Sequence, residues 1–406
     1  MQGFLFNVSM TKCGPYSLFV AEILLIAEVI IMNINQELGV FSKTDLKALI
    51  ENGRIIPGST FLPSHIGEAS IDLTVTGEVY NITRVIQPNQ VRGEKVRDLL
   101  PMMGARPVDI GSVLSVGSSY LAKASVELNL PPGTYGFCNA KSTSGRLFVF
   151  VRTIADSIFM FDSVDHRNEG YSGELWLVIE PLAFPIILST DECLNQLRIF
   201  DSDTRLGETS LRKLLQKNDL IFHRETKRPY KQGDLSLFTN DGSVLCTLFA
   251  EGDKHIGYKT RLGGVEPIDL SRRDLNPKKY YEPVFSETLI DSNEYSRGVN
   301  IEAGRHFLLC TNEMFCVPLT HSSELVALDR RLGDVFTHFA GYFDPGFFGT
   351  GTLEVFSPRT VFLRHLQPLA KFVLEKMRSE TTSYQDRGTY ASQVATRLPK
   401  QFVDWE

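Results

Sequence analysis

The chain has 406 residues, of which 43% are hydrophobic and 22% charged, a composition that excludes whole-chain disorder and leaves room for two or three domains. Its formal charge of −6 excludes a broad basic footprint for nucleic acid, so a phosphate-bearing ligand needs a local basic pocket. The six cysteines, Cys13, Cys138, Cys193, Cys246, Cys310 and Cys316, form no C-x-x-C pair and are too few for so long a chain to be a disulfide scaffold, which points to free thiols in a reducing cytoplasm.

Tyr16 to Met32 is strongly apolar, yet Glu22 and Glu28 interrupt it and it falls short of the ~20 apolar residues of a spanning helix. Residues 1–31 are therefore expected to be an extension outside the fold, with no membrane role. Asn33 to Asn52 reads as a helix with Ser42 and Thr44 as candidate caps, an apolar stripe of Leu46, Leu49 and Ile50, and Gly53 as its stop. Strand signals then dominate. Ser70 to Val75 and Ser125 to Leu130 alternate with period two; Leu147 to Val151, Leu175 to Ile179, Ile186 to Leu188 and Leu197 to Phe200 are short apolar runs between turn residues. Thr209 to Lys217 reads as a helix, and Gly263 to Pro283 is a polar, turn-rich excursion. This pattern predicts an all-β fold of the sandwich or barrel kind with a few short helices.

The two halves echo one another. Gly145-Arg146-Leu147 is followed by Ala155, and Arg331-Leu332-Gly333 by Ala340, with eight residues between arginine and alanine each time. Gly170 to Gly173 matches Gly346 to Gly349, and each is followed by a strand and a proline, Pro181 and Pro358. The common order points to duplication, with the join between Asp201 and Asp219.

Lys141-Ser142-Thr143-Ser144-Gly145-Arg146 packs three hydroxyls, two cations and a glycine between two strands. Hydroxyls and backbone N–H groups in such a turn suit phosphate oxygens, and the cations balance their charge. Read alone, the same residues equally suit a hydrogen-bonded surface turn. Glu354 lies in the apolar strand Leu353-Glu354-Val355-Phe356, where a strand glutamate would ordinarily face solvent.

Ser70-Ile71-Asp72-Leu73, the Lys141 to Arg146 turn, Gly170 to Gly173 and Asn195-Gln196-Leu197, in that order, resemble the motif series of the dCTP deaminase/dUTPase superfamily. Ala340-Gly341-Tyr342-Phe343-Asp344-Pro345-Gly346-Phe347 is similar to that family's Ala-x-x-x-Asp-Pro-Gly-aromatic stretch, and the doubled chain resembles the long bacterial form of dCTP deaminase over about residues 36 to 400. The resemblance implies two tandem dUTPase-like distorted β-barrels, residues 32–205 and 206–382, with a C-terminal tail 383–406 that closes over the nucleotide.

By the same resemblance Glu354, five residues after Gly349, is the catalytic carboxylate, with Ser142, Arg146 and Arg331 around it. Lys141, Thr143, Ser144, Gly145, Asp344, Tyr384 and Gln385 are implied as substrate-binding residues. The first half has no carboxylate at the matching place: Val178 stands there counting from Gly173, and Leu177 counting from Pro181. The second half lacks the hydroxyl-rich turn before Arg331, having Val326-Ala327-Leu328-Asp329-Arg330 instead. A composite site is therefore expected, in which Ser142 to Arg146 of one half faces Glu354 of the other. The expected reaction is hydrolytic deamination of dCTP to dUTP and ammonia, with dUTP pyrophosphatase activity, alone or combined, and non-catalytic nucleotide binding as rivals. Mg²⁺ is expected only as the companion of the triphosphate. No P-C-x-x-C segment is present for a deaminase zinc site, so no zinc and no other resident metal is expected. The implied partners are dCTP or dUTP and further copies of the chain, without nucleic acid or membrane.

Overall fold

The computed structural model describes residues 37–230, 239, 241–252, 255–263, 265–291, 294–328, 335–336, 340–386 and 388–405. The chain divides into two compact units, Met1–Leu38 and Gly39–Glu406, and all the described strands and helices lie in the second. The extension 1–31 and Arg331 lie outside the described residues. Among the described residues no helix is long and apolar enough to cross a membrane.

The first helix, α1, covers Lys43–Glu51, so the expectation of a helix is corrected for residues 37–42, while 33–36 lie outside the described residues. Ser42 stops it from running further back. Its backbone is extended (φ −77°, ψ 170°), its hydroxyl accepts from the Asp45 N–H, and the Asp45 carboxylate accepts from the Ser42 N–H at 2.9 Å. This reciprocal cap satisfies two donors that a helix start leaves open. Just upstream, Val40 bridges Phe200 and Met377 as strand does.

The first half continues with β1 (Ile55–Pro57), β2 (Ile71–Leu73), β3 (Val75–Ile82), α2 (Val96–Leu99), β4 (Ser119–Leu130), β5 (Tyr135–Ala140), α3 (Ser142–Arg146), β6 (Val149–Ala155), β7 (Tyr171–Pro181), β8 (Ile186–Ile187) and β9 (Asn195–Phe200). The second holds α4 (Glu208–Lys217), β10 (Ile221–His223), β11 (Val244–Thr247), β12 (His255–Thr260), β13 (Ile268–Asp269), β14 (Tyr281–Phe285), β15 (His306–Cys316), β16 (His321–Ala327), β17 (Tyr342–Phe343), β18 (Phe348–Phe356) and β19 (Pro368–Lys376). Strands dominate, as expected.

Pairing shows the duplication directly. In the first half β4 lies between β1 and β7, and β9 lies between β2 and β5. In the second, β15 lies between β10 and β18, and β19 between β11 and β16. All eight pairings are antiparallel. Register then locates the divergence: Glu354 on β18 stands opposite Leu308, and Val178 on β7 stands opposite Leu121.

The halves share apolar surface. The core under the first half's strands takes in Tyr258, Tyr280, Tyr281, Leu308 and Phe402 from the second. Every residue of β9 is buried, which means both its faces are covered. Arg198 on that strand is 1% exposed and reaches into the second half, pairing with Glu375 and, at 3.2 Å, with Glu324. Asn139 completes the cluster, accepting from Arg198 Nε at 3.0 Å and donating to Glu324 at 2.7 Å. Such a buried group of charges is tolerated because each has a partner.

Candidate active site

The Lys141–Arg146 segment, read from sequence as a turn, is a single helical turn. The Gly145 N–H donates to the Lys141 carbonyl and the Leu147 N–H to the Thr143 carbonyl, both at 3.1 Å. The expected strand from Leu147 starts only at Val149, after Phe148 adopts φ +54°, a left-handed conformation that bulky residues rarely take. The reversal this makes aims α3 into a cavity of about 260 Å³.

Both halves line that cavity. The first half contributes Asp72, Lys141, Ser142, Thr143 and Arg146; the second contributes Asp344, Phe347 and Tyr384. Lys141 donates to the Asp72 carboxylate at 2.6 Å. Burial opposes its charge, but Asp72 and Asp344 outweigh burial and hold the ammonium above its ordinary pKa. Asp344 is half-buried and pushed up to about 6, first by burial and then by Asp72 and Glu68, with Lys141 relieving part of that. Its Oδ1 has no hydrogen-bond partner in the protein, so this wall presents an unmet acceptor.

Arg146 is 3% exposed and held by the C-terminal segment. It donates to the Gln393 side-chain oxygen at 3.0 Å and to the Arg397 carbonyl, and its guanidinium stacks 3.9 Å from the Tyr390 ring centroid. Burial draws its pKa below the ordinary value, against the opposing influence of Tyr390 and Glu354. Its Nε is unpartnered.

Glu354 is 1% exposed and lies behind α3. A Cβ built on Gly145 would stand 3.0 Å from a Glu354 carboxylate oxygen and 2.7 Å from the Ala340 Cβ. Only glycine allows this approach. Ser142, one helical turn from Gly145, lines the cavity, whereas Glu354 lies outside its lining. The hydroxyl-rich segment of one half and the glutamate of the other thus meet within a single chain.

The remaining residues named from sequence divide. Lys141, Ser142, Thr143, Arg146, Asp344 and Tyr384 line the cavity, and Gly145 packs on Glu354. Ser144 turns away and donates to the Leu194 carbonyl at 2.9 Å. Gln385 also stays off the cavity, donating to the Phe348 carbonyl at 3.3 Å and accepting from Ser392 at 2.7 Å. Neither of these two side chains lines the cavity, because backbone and tail partners take up their polar atoms.

Sequence reasoning missed Tyr390, Gln393 and Lys400 and set Asp72 aside as a strand cap. An aromatic and an amide spaced through a small polar tail were the available signal. The tail packs into the fold. Gln401 is fully buried and Phe402 joins the core, so residues 383–406 cannot be removed without loss of stability. Among the described residues no three His, Cys, Asp or Glu side chains converge to hold a metal ion. His223-Arg224-Glu225 does have the H-x-E spacing, but its imidazole stacks on Tyr230 at 3.6 Å and no C-x-x-C accompanies it.

Residues 37–203 match the family described as 2'-deoxycytidine 5'-triphosphate deaminase N-terminal domain, and residues 208–402 match its C-terminal domain. No curated protein matches the chain. The crystal structure of 2'-deoxycytidine 5'-triphosphate deaminase from Agrobacterium tumefaciens has a TM-score of 0.73 and 24% identity, covering 85% of this chain and 97% of that one. At that identity the likeness speaks for the fold. With both halves matched in order, the chain belongs to the 2'-deoxycytidine 5'-triphosphate deaminase family, in duplicated form.

Proposed function

We propose that this enzyme hydrolyses dCTP to dUTP and ammonia with a water activated by Glu354 and without a transition metal. The observation that carries the reading is the Glu354 carboxylate packed against the α3 backbone at Gly145. Water adds through its oxygen to cytosine C4, and Glu354 accepts the proton it sheds. The carboxylic acid gives that proton to the ring nitrogen, takes a second from the new C4 hydroxyl as it becomes a carbonyl, and delivers it to the departing amine as the C4–N bond breaks. A buried carboxylate suits such shuttling because bulk water does not compete for the proton. The Ser142 hydroxyl holds the attacking water or the exocyclic amine, and Arg146 orients Glu354. The unmet Asp344 oxygen accepts from the deoxyribose 3'-hydroxyl. Lys141 and Thr143 face the phosphates, and Tyr384 closes the wall. Mg²⁺ arrives with the triphosphate as part of the substrate.

The test follows ammonia and pyrophosphate release from dCTP and dUTP, first with EDTA and then with Mg²⁺. Ammonia from dCTP that persists with EDTA, and is lost in Glu354→Gln while dCTP still binds, supports the proposal. Pyrophosphate from dUTP would add or substitute a dUTPase activity. Binding without either product would make the chain a regulator.

A further inference from the structure

The polar excursion between β12 and β14, residues 261–280, does more than close a hairpin. Within it β13 pairs in parallel with β8, Ile268 opposite Ile186, so a second-half segment extends a first-half sheet. The Leu275 N–H donates to the Gln401 carbonyl and the Val403 N–H to the Leu275 carbonyl, both at 3.0 Å. Arg273 pairs with Glu192, which also pairs with Lys400 on the cavity wall at 2.8 Å. The excursion therefore ties the first barrel and the C-terminal segment together.

It ends at Tyr281, which is fully buried and held edge-on between Phe184 at 5.3 Å and Phe402 at 5.4 Å. The Tyr281 hydroxyl donates to the Arg146 carbonyl at 2.9 Å. That carbonyl closes α3, and the last carbonyls of a helix have no partner within it. Tyr281 thus anchors the end of α3 one peptide beyond Gly145, where the turn touches Glu354. We propose that Tyr281 is a positioning residue for the deamination, holding α3 in register with the Glu354 carboxylate through the Arg146 carbonyl. This rests on the reading of Arg146 and Glu354 as the working centre. The anchor sits on β14, in the same sheet as the Glu354 strand and joined to it through β12 and β15, so it references the turn to the sheet that carries the carboxylate. Removing the hydroxyl leaves a buried carbonyl unmet and lets the turn drift, and misplacement on the order of 1 Å near a reacting centre costs orders of magnitude in rate.

The experiment compares the full chain with Tyr281→Phe, measuring kcat and KM for dCTP per site counted by dCTP titration. The expected result is a fall in kcat of about 10-fold, the equivalent of one lost buried hydrogen bond, with KM within about 2-fold. The same substitution in an Arg146→Lys background should cost less than about 2-fold, because the turn it positions no longer presents the native guanidinium. An unchanged kcat, a full additive loss in that background, or a Tyr281→Phe chain that no longer folds would each overturn the assignment; the last would make the hydroxyl a folding requirement. Failure of the underlying reading looks different, since the unmodified enzyme would then release no ammonia from dCTP.

Discussion

Gly145→Ala sets two effects of opposite sign against each other. In a helix interior alanine is favoured over glycine by about 1 kcal/mol, so local propensity predicts a more stable protein. The structure predicts the reverse. The new methyl would lie 2.7 Å from the Ala340 Cβ and 3.0 Å from a Glu354 oxygen. Carbon atoms rest at about 3.5–4.0 Å, so one side must yield by about 1 Å. Overpacking of that size costs about 1–3 kcal/mol, which offsets the propensity gain and leaves a net loss of up to about 2 kcal/mol. The same displacement moves Glu354 against α3 and should lower kcat about 100-fold. Ammonia release from dCTP and thermal unfolding read the two effects separately. Adding Ala340→Gly removes the shorter contact but leaves the one to Glu354, so the double variant should regain melting temperature and not kcat. Gly145→Ala with kcat within about 2-fold of the parent, or a double variant that recovers both, refutes the reasoning.

Three further outcomes are expected. Arg198→Met strands Glu324 and Glu375 in the interface between halves and should destabilise the protein by about 3–5 kcal/mol in denaturant titrations. Gln393→Ala removes the Arg146 partner at 3.0 Å and should lower kcat/KM about 30-fold, the equivalent of about 2 kcal/mol for a hydrogen bond to a charged group. Glu313, buried in the second half and bonded to Thr247, is pushed up to about 7, chiefly by burial. Its folded pKa is raised, so its stabilisation is present in full below about 4.5 and is lost as pH rises through about 7. Glu313→Gln should therefore flatten the stability profile across that window, by on the order of 3 kcal/mol; an unchanged slope would contradict the assignment.

How much of the molecule was legible in the sequence depends on the range of the forces involved. Period-two alternation found β2 and β4, and a short apolar run found β9, because each buries at least one face against its neighbours. The repeat found the duplication, because equivalent turns need equivalent residues. Helix α1 was drawn too long because apolar residues continue upstream, although Ser42 and Asp45 already marked the cap. The α3 turn was not seen as helix because hydroxyls and glycine are weak helix formers, and what holds it is tertiary: Leu194, Tyr281 and Gln393. Burial of Glu354 could be guessed from its apolar strand. The Arg198 cluster could not, because its partners lie 126 and 177 residues away and no local pattern encodes them.

Fusion of the two halves has a kinetic consequence. Because Gly145 and Glu354 are joined by the same backbone, their encounter is intramolecular, and dilution cannot separate them. Subunit exchange between damaged and intact copies cannot mix these two contributions either. Mutational wear on one half is therefore never complemented through this contact by the good half of a neighbour, so both halves stay under joint selection.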